Sequence, residues 1–190
     1  MKTRNDALAL LQEYTKTESL LKHAFSVEAC MRWYARHFDQ NSEDIEKWGI
    51  TGLLHDFDYE MYPTPNPPDG HPFVGNRILD ELNYPEDVRT AIMGHATYTN
   101  TPRSTLMAKT LFAVDELSGL VVASALVRPD KSLANLEASS VNKKMKDKAF
   151  ARGCNRDDIR LGAQELGVDI KEHIGNVILA LREISEVLGL

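Results

Sequence analysis

Apolar residues recur at three- and four-residue steps along nearly the whole chain, and no stretch alternates convincingly with period two. That period predicts helices joined by short polar breaks. About residues 4–13 make a short first helix. Thr17 or Ser19 caps a second that runs to about Phe38 and turns Leu20, His23, Val27, Met31 and Tyr34 to one side. Ser42 caps a third over about residues 43–56, with Trp48, Gly52 and His55 aligned. The stretch Tyr62-Pro63-Thr64-Pro65-Asn66-Pro67-Pro68-Asp69-Gly70 forbids regular structure, because each proline fixes φ and lacks a donor. A fourth helix starts near His71-Pro72, with His71, Gly75, Ile78 and Leu82 on one face. Pro85 opens a fifth whose apolar side carries Val88, Ile92 and His95.

Thr101 or Ser104 begins a long helix to about Val127 that aligns Leu111, Asp115, Ser118 and Val122; Arg128-Pro129-Asp130 ends it. Ser140 to Phe150 reads as a short basic helix. Asn155 caps the next and Gly167 ends it, and the last starts at Asp169 with Glu172 as its capping-box partner and runs nearly to residue 190. The expected class is all-α: a single helical bundle of about eight or nine helices. It forms one domain over residues 1–190, with a core over about 17–127 and a helical extension over about 132–190.

Composition narrows the class without choosing a function. A length of 190 residues supports one sizeable core and is short for two. A net charge of −6 argues against a general nucleic-acid binder, while leaving room for a local basic patch. Two cysteines, Cys30 and Cys154, make no disulfide framework and fit a reducing compartment. Met1-Lys2-Thr3-Arg4-Asn5-Asp6 leads into an amphipathic stretch rather than a signal peptide's apolar region, and no run approaches the roughly 18 apolar residues of a membrane span. The expectation is a soluble cytoplasmic protein with no membrane partner.

Candidate chemistry concentrates in Thr51-Gly52-Leu53-Leu54-His55-Asp56-Phe57-Asp58-Tyr59-Glu60, where an apolar helical run delivers a His-Asp pair. His23, His71, His95 and Asp115 each fall on the apolar side of a different helix. A single inward histidine is ordinarily a hydrogen-bonded core residue, and a buried carboxylate is costly unless paired or bound to a metal. Five helices each turning such a residue inward point instead to one converging metal site. Imidazole and carboxylate donors suit a divalent transition metal, Fe, Mn, Zn, Ni or Co. His37 lies on the stripe of His23 but fourteen residues on, roughly 21 Å along a helix and too far to share an ion. His173 sits at a stripe edge, as packing or surface.

Leu53-Leu54-His55-Asp56, with His23 upstream and Asp115 in Phe112-Ala113-Val114-Asp115-Glu116-Leu117 downstream, resembles the HD superfamily of metal-dependent phosphohydrolases. His71 in His71-Pro72-Phe73-Val74-Gly75-Asn76-Arg77-Ile78-Leu79 and His95 in Ile92-Met93-Gly94-His95-Ala96 resemble its HDIG subgroup. The likeness covers about residues 20–125. It implies an HD-type helical bundle in which His23, His55, Asp56 and Asp115 hold a first metal. Asp56 then bridges to a second, held also by His71 and His95. The chain departs from the family pattern at Phe57-Asp58, where Ile-Gly is expected, and at Tyr59, where some nucleotidases carry glutamate. The further motif of cyclic-di-GMP phosphodiesterases is absent, so that substrate is not implied.

The implied activity is hydrolysis of a phosphate mono- or diester, nucleotide-like or another small phosphorylated molecule, through a metal-activated water. Asp56 would serve as the bridging carboxylate, and Asp58, Glu60 or Glu116 would orient the water or shuttle its proton. Arg103, Lys143 and Lys144 are the expected substrate-binding cations, the lysines opening a basic run with Lys146, Lys148, Arg152 and Arg156. Two alternatives stand beside this reading. A few superfamily members are di-iron oxygenases that use the same six-ligand order, although hydrolases dominate. A non-catalytic helical binding module would use the metal structurally.

Overall fold

In a computed structural model, residues 2–65 and 67–190 are described; Met1, and Asn66 of the expected proline-rich loop, lie outside the described residues. These residues form ten α-helices and no strand: α1 Arg4–Tyr14, α2 Glu18–His37, α3 Ser42–Leu54, α4 Phe73–Glu81, α5 Glu86–His95, α6 Leu106–Leu126, α7 Ala138–Lys144, α8 Arg156–Leu166, α9 Ile170–Arg182 and α10 Ser185–Leu188. A 3-10 turn at Thr97–Thr99 follows α5. The all-helical class matches the period read along the chain. No helix among the described residues is long and apolar enough to cross a membrane.

Several boundaries differ from expectation, each for a local reason. Asn41 rather than Ser42 caps α3, its side-chain oxygen accepting from Asp44 N at 3.0 Å. Thr105 rather than Thr101 or Ser104 caps α6, accepting from Ala108 N at 3.1 Å. α7 stops at Lys144 instead of reaching Phe150, because Arg156 gathers the carbonyls of Phe150, Ala151 and Cys154 and folds that segment into turns. The last expected helix breaks at Glu183 and Ile184, which makes α9 and α10 separate.

α6 is apolar nearly all round and runs through the centre, touching α2, α5, α8 and α9. Such a helix is stable only when neighbours cover every face. α2 packs along α3 on one side, and most of the buried apolar side chains form one contiguous cluster from Ala7 to Leu188. His173, expected at a stripe edge, is wholly buried within this core. His37 stacks on Trp33 with ring centroids 4.9 Å apart.

Candidate metal centre

Five chain segments deliver the polar side chains of the site. α2 carries His23 and α6 carries Asp115 mid-helix. α3 ends at Leu54, so His55 is its last residue in helical conformation, and the chain then winds through tight turns that project Asp56. The turn is fixed from behind. Phe57 is fully buried edge-on against Tyr14 of α1, and the Thr15 hydroxyl donates to the Phe57 carbonyl at 2.9 Å. His71 lies just before α4, and His95 is the last residue of α5.

Their inward atoms make two groups joined at one carboxylate. His23 Nε2, His55 Nε2 and Asp115 Oδ1 are 3.1–3.3 Å apart, and Asp56 Oδ2 lies 3.5 Å from His55 Nε2 and 3.8 Å from His23 Nε2. The other Asp56 oxygen, Oδ1, lies 3.2 Å from His71 Nε2 and 3.1 Å from His95 Nε2, which are themselves 3.2 Å apart. Donors held about 2.1 Å from one ion at right angles sit about 3.0 Å from each other, so this spacing fits shared coordination. His23, His55 and Asp56 can hold one ion, and Asp56, His71 and His95 another.

The far side of each ring decides which nitrogen faces inward. His55 Nδ1 donates to the Gly52 carbonyl at 2.8 Å and His95 Nδ1 to the Ile92 carbonyl. A carbonyl only accepts, so both Nδ1 atoms carry hydrogen and, in the neutral rings, Nε2 presents its lone pair to the centre. His71 Nδ1 is held by Asp58 Oδ1 at 2.7 Å, and Asp58 Oδ2 accepts from Gly75 N at 2.7 Å. A Cβ on Gly75 would lie 2.8 Å from the Asp58 carboxyl carbon, so only glycine lets α4 come this close. Nitrogens aimed at each other across 3.2 Å need a proton or a cation between them. The donor set therefore fits a divalent transition metal.

Without a metal, protons take that place. Burial disfavours charge on His55, but Asp56 and Asp115 outweigh it and raise its pKa to about 9. His71 is likewise opposed by burial and raised to about 10 by hydrogen bonds to Asp56 and Asp58. Burial pushes Asp56 and Asp115 up, yet the surrounding imidazoles prevail and hold both below the usual carboxylate range. Asp56 still keeps 25% of its side chain open to the cavity above it.

That cavity measures about 530 Å³ and has His23, Asp56, His71, His95 and Asp115 in its lining. Tyr59, Thr97 and Tyr98 form one part of its wall, and Glu116, Cys154, Asn155 and Asp158 another. Tyr98 donates to the His71 carbonyl at 2.9 Å, and Tyr59 meets the His71 ring edge-on. Glu116 faces the cavity; burial and the charge of Asp115 push its pKa up to about 7.

Four expected site residues other than the lysine at 143 have their polar groups engaged elsewhere. Asp58 has both oxygens bound behind His71, is buried and is not part of the cavity lining. Glu60 turns away to the start of α2, accepting from Lys16 N, Thr17 N and the Thr17 hydroxyl. Arg103 forms two 2.6 Å bonds to Glu165, donates to the Gly94 carbonyl and lies over the Phe112 ring, so it braces α5 and α6 against α8. Lys144 sits over Phe150, and Lys143 is exposed on α7 outside the cavity wall. Tyr98, Asn155 and Asp158 are wall residues that the sequence reading missed. The cap at Asn155 was legible, but which helix its turn would meet had no local signal.

A family model described as "HD domain" matches residues 20–120 of the chain. No curated protein matches it, and neither does any solved structure.

Proposed function

The chain belongs to the HD domain family, and we propose that it is a metal-dependent phosphohydrolase acting on a phosphate mono- or diester. One observation carries this reading: Asp56 gives one oxygen to each of two donor groups, as a carboxylate shared by two ions does. Divalent metals bound there supply a nucleophilic hydroxide at neutral pH and neutralise charge on a phosphate. His23, His55, Asp56 and Asp115 are assigned to one ion, and Asp56, His71 and His95 to the other. Asp58 and the Gly52 and Ile92 carbonyls keep the imidazole Nε2 atoms turned inward. Glu116, a partly buried carboxylate in the cavity lining, is assigned the transfer of a proton to a departing oxygen. A cavity of about 530 Å³ above the donor atoms speaks against a purely structural metal, since structural sites are usually closed.

The test is metal analysis of the purified protein together with a phosphoester screen in added Mn, Ni, Co or Fe. Asp56→Ala is expected to lose both metal and turnover; wild-type values for both in that variant would defeat the assignment. One observation favours a second reading, a di-iron oxygenase. The cavity lining includes Asp56, Asp115, Glu116 and Asp158 but no lysine or arginine, a poor match for a phosphate held by side chains alone. Iron-dependent oxygen consumption without phosphoester turnover would replace the hydrolase with this alternative.

A further inference from the structure

Beside the cavity lies a second cleft of about 600 Å³, and Gly153, Cys154 and Asn155 line both. Its charge is the reverse of its neighbour's. Lys146, Lys148, Arg152, Arg156 and Arg160 line it against a single carboxylate, Asp157. Arg160 is engaged with Asp157 at 3.0 Å. Arg156 donates to the carbonyls of Phe150, Ala151 and Cys154, which builds the shared wall, and no carboxylate among the described residues pairs with it. Its Nε is buried without a hydrogen-bond partner. Lys146, Lys148 and Arg152 have no ion-pair partner among the described residues. In a chain of net charge −6, cations gathered in one concave wall repel each other unless an anion offsets them.

We propose that this cleft binds a second phosphate group of the substrate, so that the enzyme acts on a bisphosphate whose reacting phosphate lies over Asp56. The proposal rests on the phosphohydrolase reading and adds to it the class of substrate. It also accounts for a cavity without cations: the metals take the charge of the reacting phosphate, and the basic cleft takes the other. Lysine ammonium groups and the arginine fork match phosphate oxygens as point charges and as a bidentate pair.

The test compares α,ω-alkanediol bisphosphates with alkyl monophosphates of the same chain lengths, binding to manganese-loaded protein by calorimetry. In the wild type, the best-fitting bisphosphate is expected to bind at least ten-fold more tightly than its monophosphate, an advantage that shrinks as salt is added. In the triple variant Lys146→Ala/Lys148→Ala/Arg152→Ala that ratio falls toward one, while circular dichroism and metal content report an intact fold. A wild-type ratio near one, a ratio retained in the variant, or an equal loss for both ligands overturns the cleft and leaves the hydrolase reading standing. If neither phosphate binds the metal-loaded wild type, the hydrolase reading falls and the cleft's role falls with it.

Discussion

Asp58 shows how one carboxylate can matter to a site it does not line. It holds His71 Nδ1 and the Gly75 amide at 2.7 Å each, so it fixes both the ring and the helix that follows. Asp58→Asn keeps the shape but removes the charge. Loss of such a supporting group typically costs 10–100-fold in metal affinity. Chelator competition on the variant should show a weakened site at His71 and His95, with the site at His23 and Asp115 little changed. Equal affinities in variant and wild type would reduce Asp58 to packing. His173 presents the opposite case, a buried histidine away from the donor groups. Its Nε2 donates to the Ala113 carbonyl at 2.8 Å, and in the neutral ring that burial favours Nδ1 accepts from the Tyr34 hydroxyl at 2.6 Å. Burial depresses its pKa to about 4. Unfolded, it titrates near 6.5, so its contribution is complete above about pH 6.5 and is lost as pH falls toward 4. Urea unfolding of His173→Gln should therefore show a flatter pH dependence than wild type across that window, by up to on the order of 1 kcal/mol per pH unit. Parallel curves would mean that folding leaves the ring's titration unchanged. His173 read as a stripe-edge residue because period alone gives a side chain's azimuth on its helix, and not whether another helix covers it.

Helix existence was legible in the sequence far better than helix ends. Period placed α1 to α6, and the Asn155 cap and the Gly167 stop placed α8. The caps at Asn41 and Thr105 were missed by one residue or more, because neighbouring serines and threonines offer the same chemistry and only the chain's entry angle selects one. Helix contacts were less legible still. Gly162 on α8 sits against α6, where an added Cβ would lie 2.6 Å from the Ala113 Cα. Alanine there gains up to about 1 kcal/mol of helix propensity, but overpacking against backbone typically costs about 1–3 kcal/mol. The clash prevails because the Ala113 Cα cannot rotate away. Gly162→Ala should lower the melting temperature by roughly 2–4 °C per kcal/mol lost for a chain of this size. Gly175 on α9 meets nothing within 4 Å, so Gly175→Ala should raise stability by up to about 1 kcal/mol. The same sign from both substitutions in thermal unfolding would remove the close contact of α8 with α6 as the cause.

At the scale of the whole molecule, the six inward side chains come from five segments spread over residues 23–115, so the bundle itself assembles the centre. The sequence could reveal them because each lies on an apolar stripe where polar atoms need a reason. It could not reveal the cavity wall at Gly153 to Asp158, which joins them only through packing of α8 on α6. Assembly also sets a proton balance. Metal-free, His55 and His71 have pKa values raised to about 9 and about 10 by neighbouring carboxylates, so both are protonated at pH 7. Their stabilising effect on the metal-free fold is complete below about pH 6.5 and is lost as pH rises through 9 and 10. Metal binding requires the neutral rings. Each centre should therefore release about one proton as it fills, and apparent affinity should climb roughly ten-fold per pH unit for each such proton between about pH 7 and 9. Calorimetry at pH 7 in two buffers of different ionisation enthalpy reads the count directly. About two protons for two ions is the expected result. Binding of both ions without proton release would show that the imidazoles are already neutral at pH 7, and that the neighbouring carboxylates do not raise them as described.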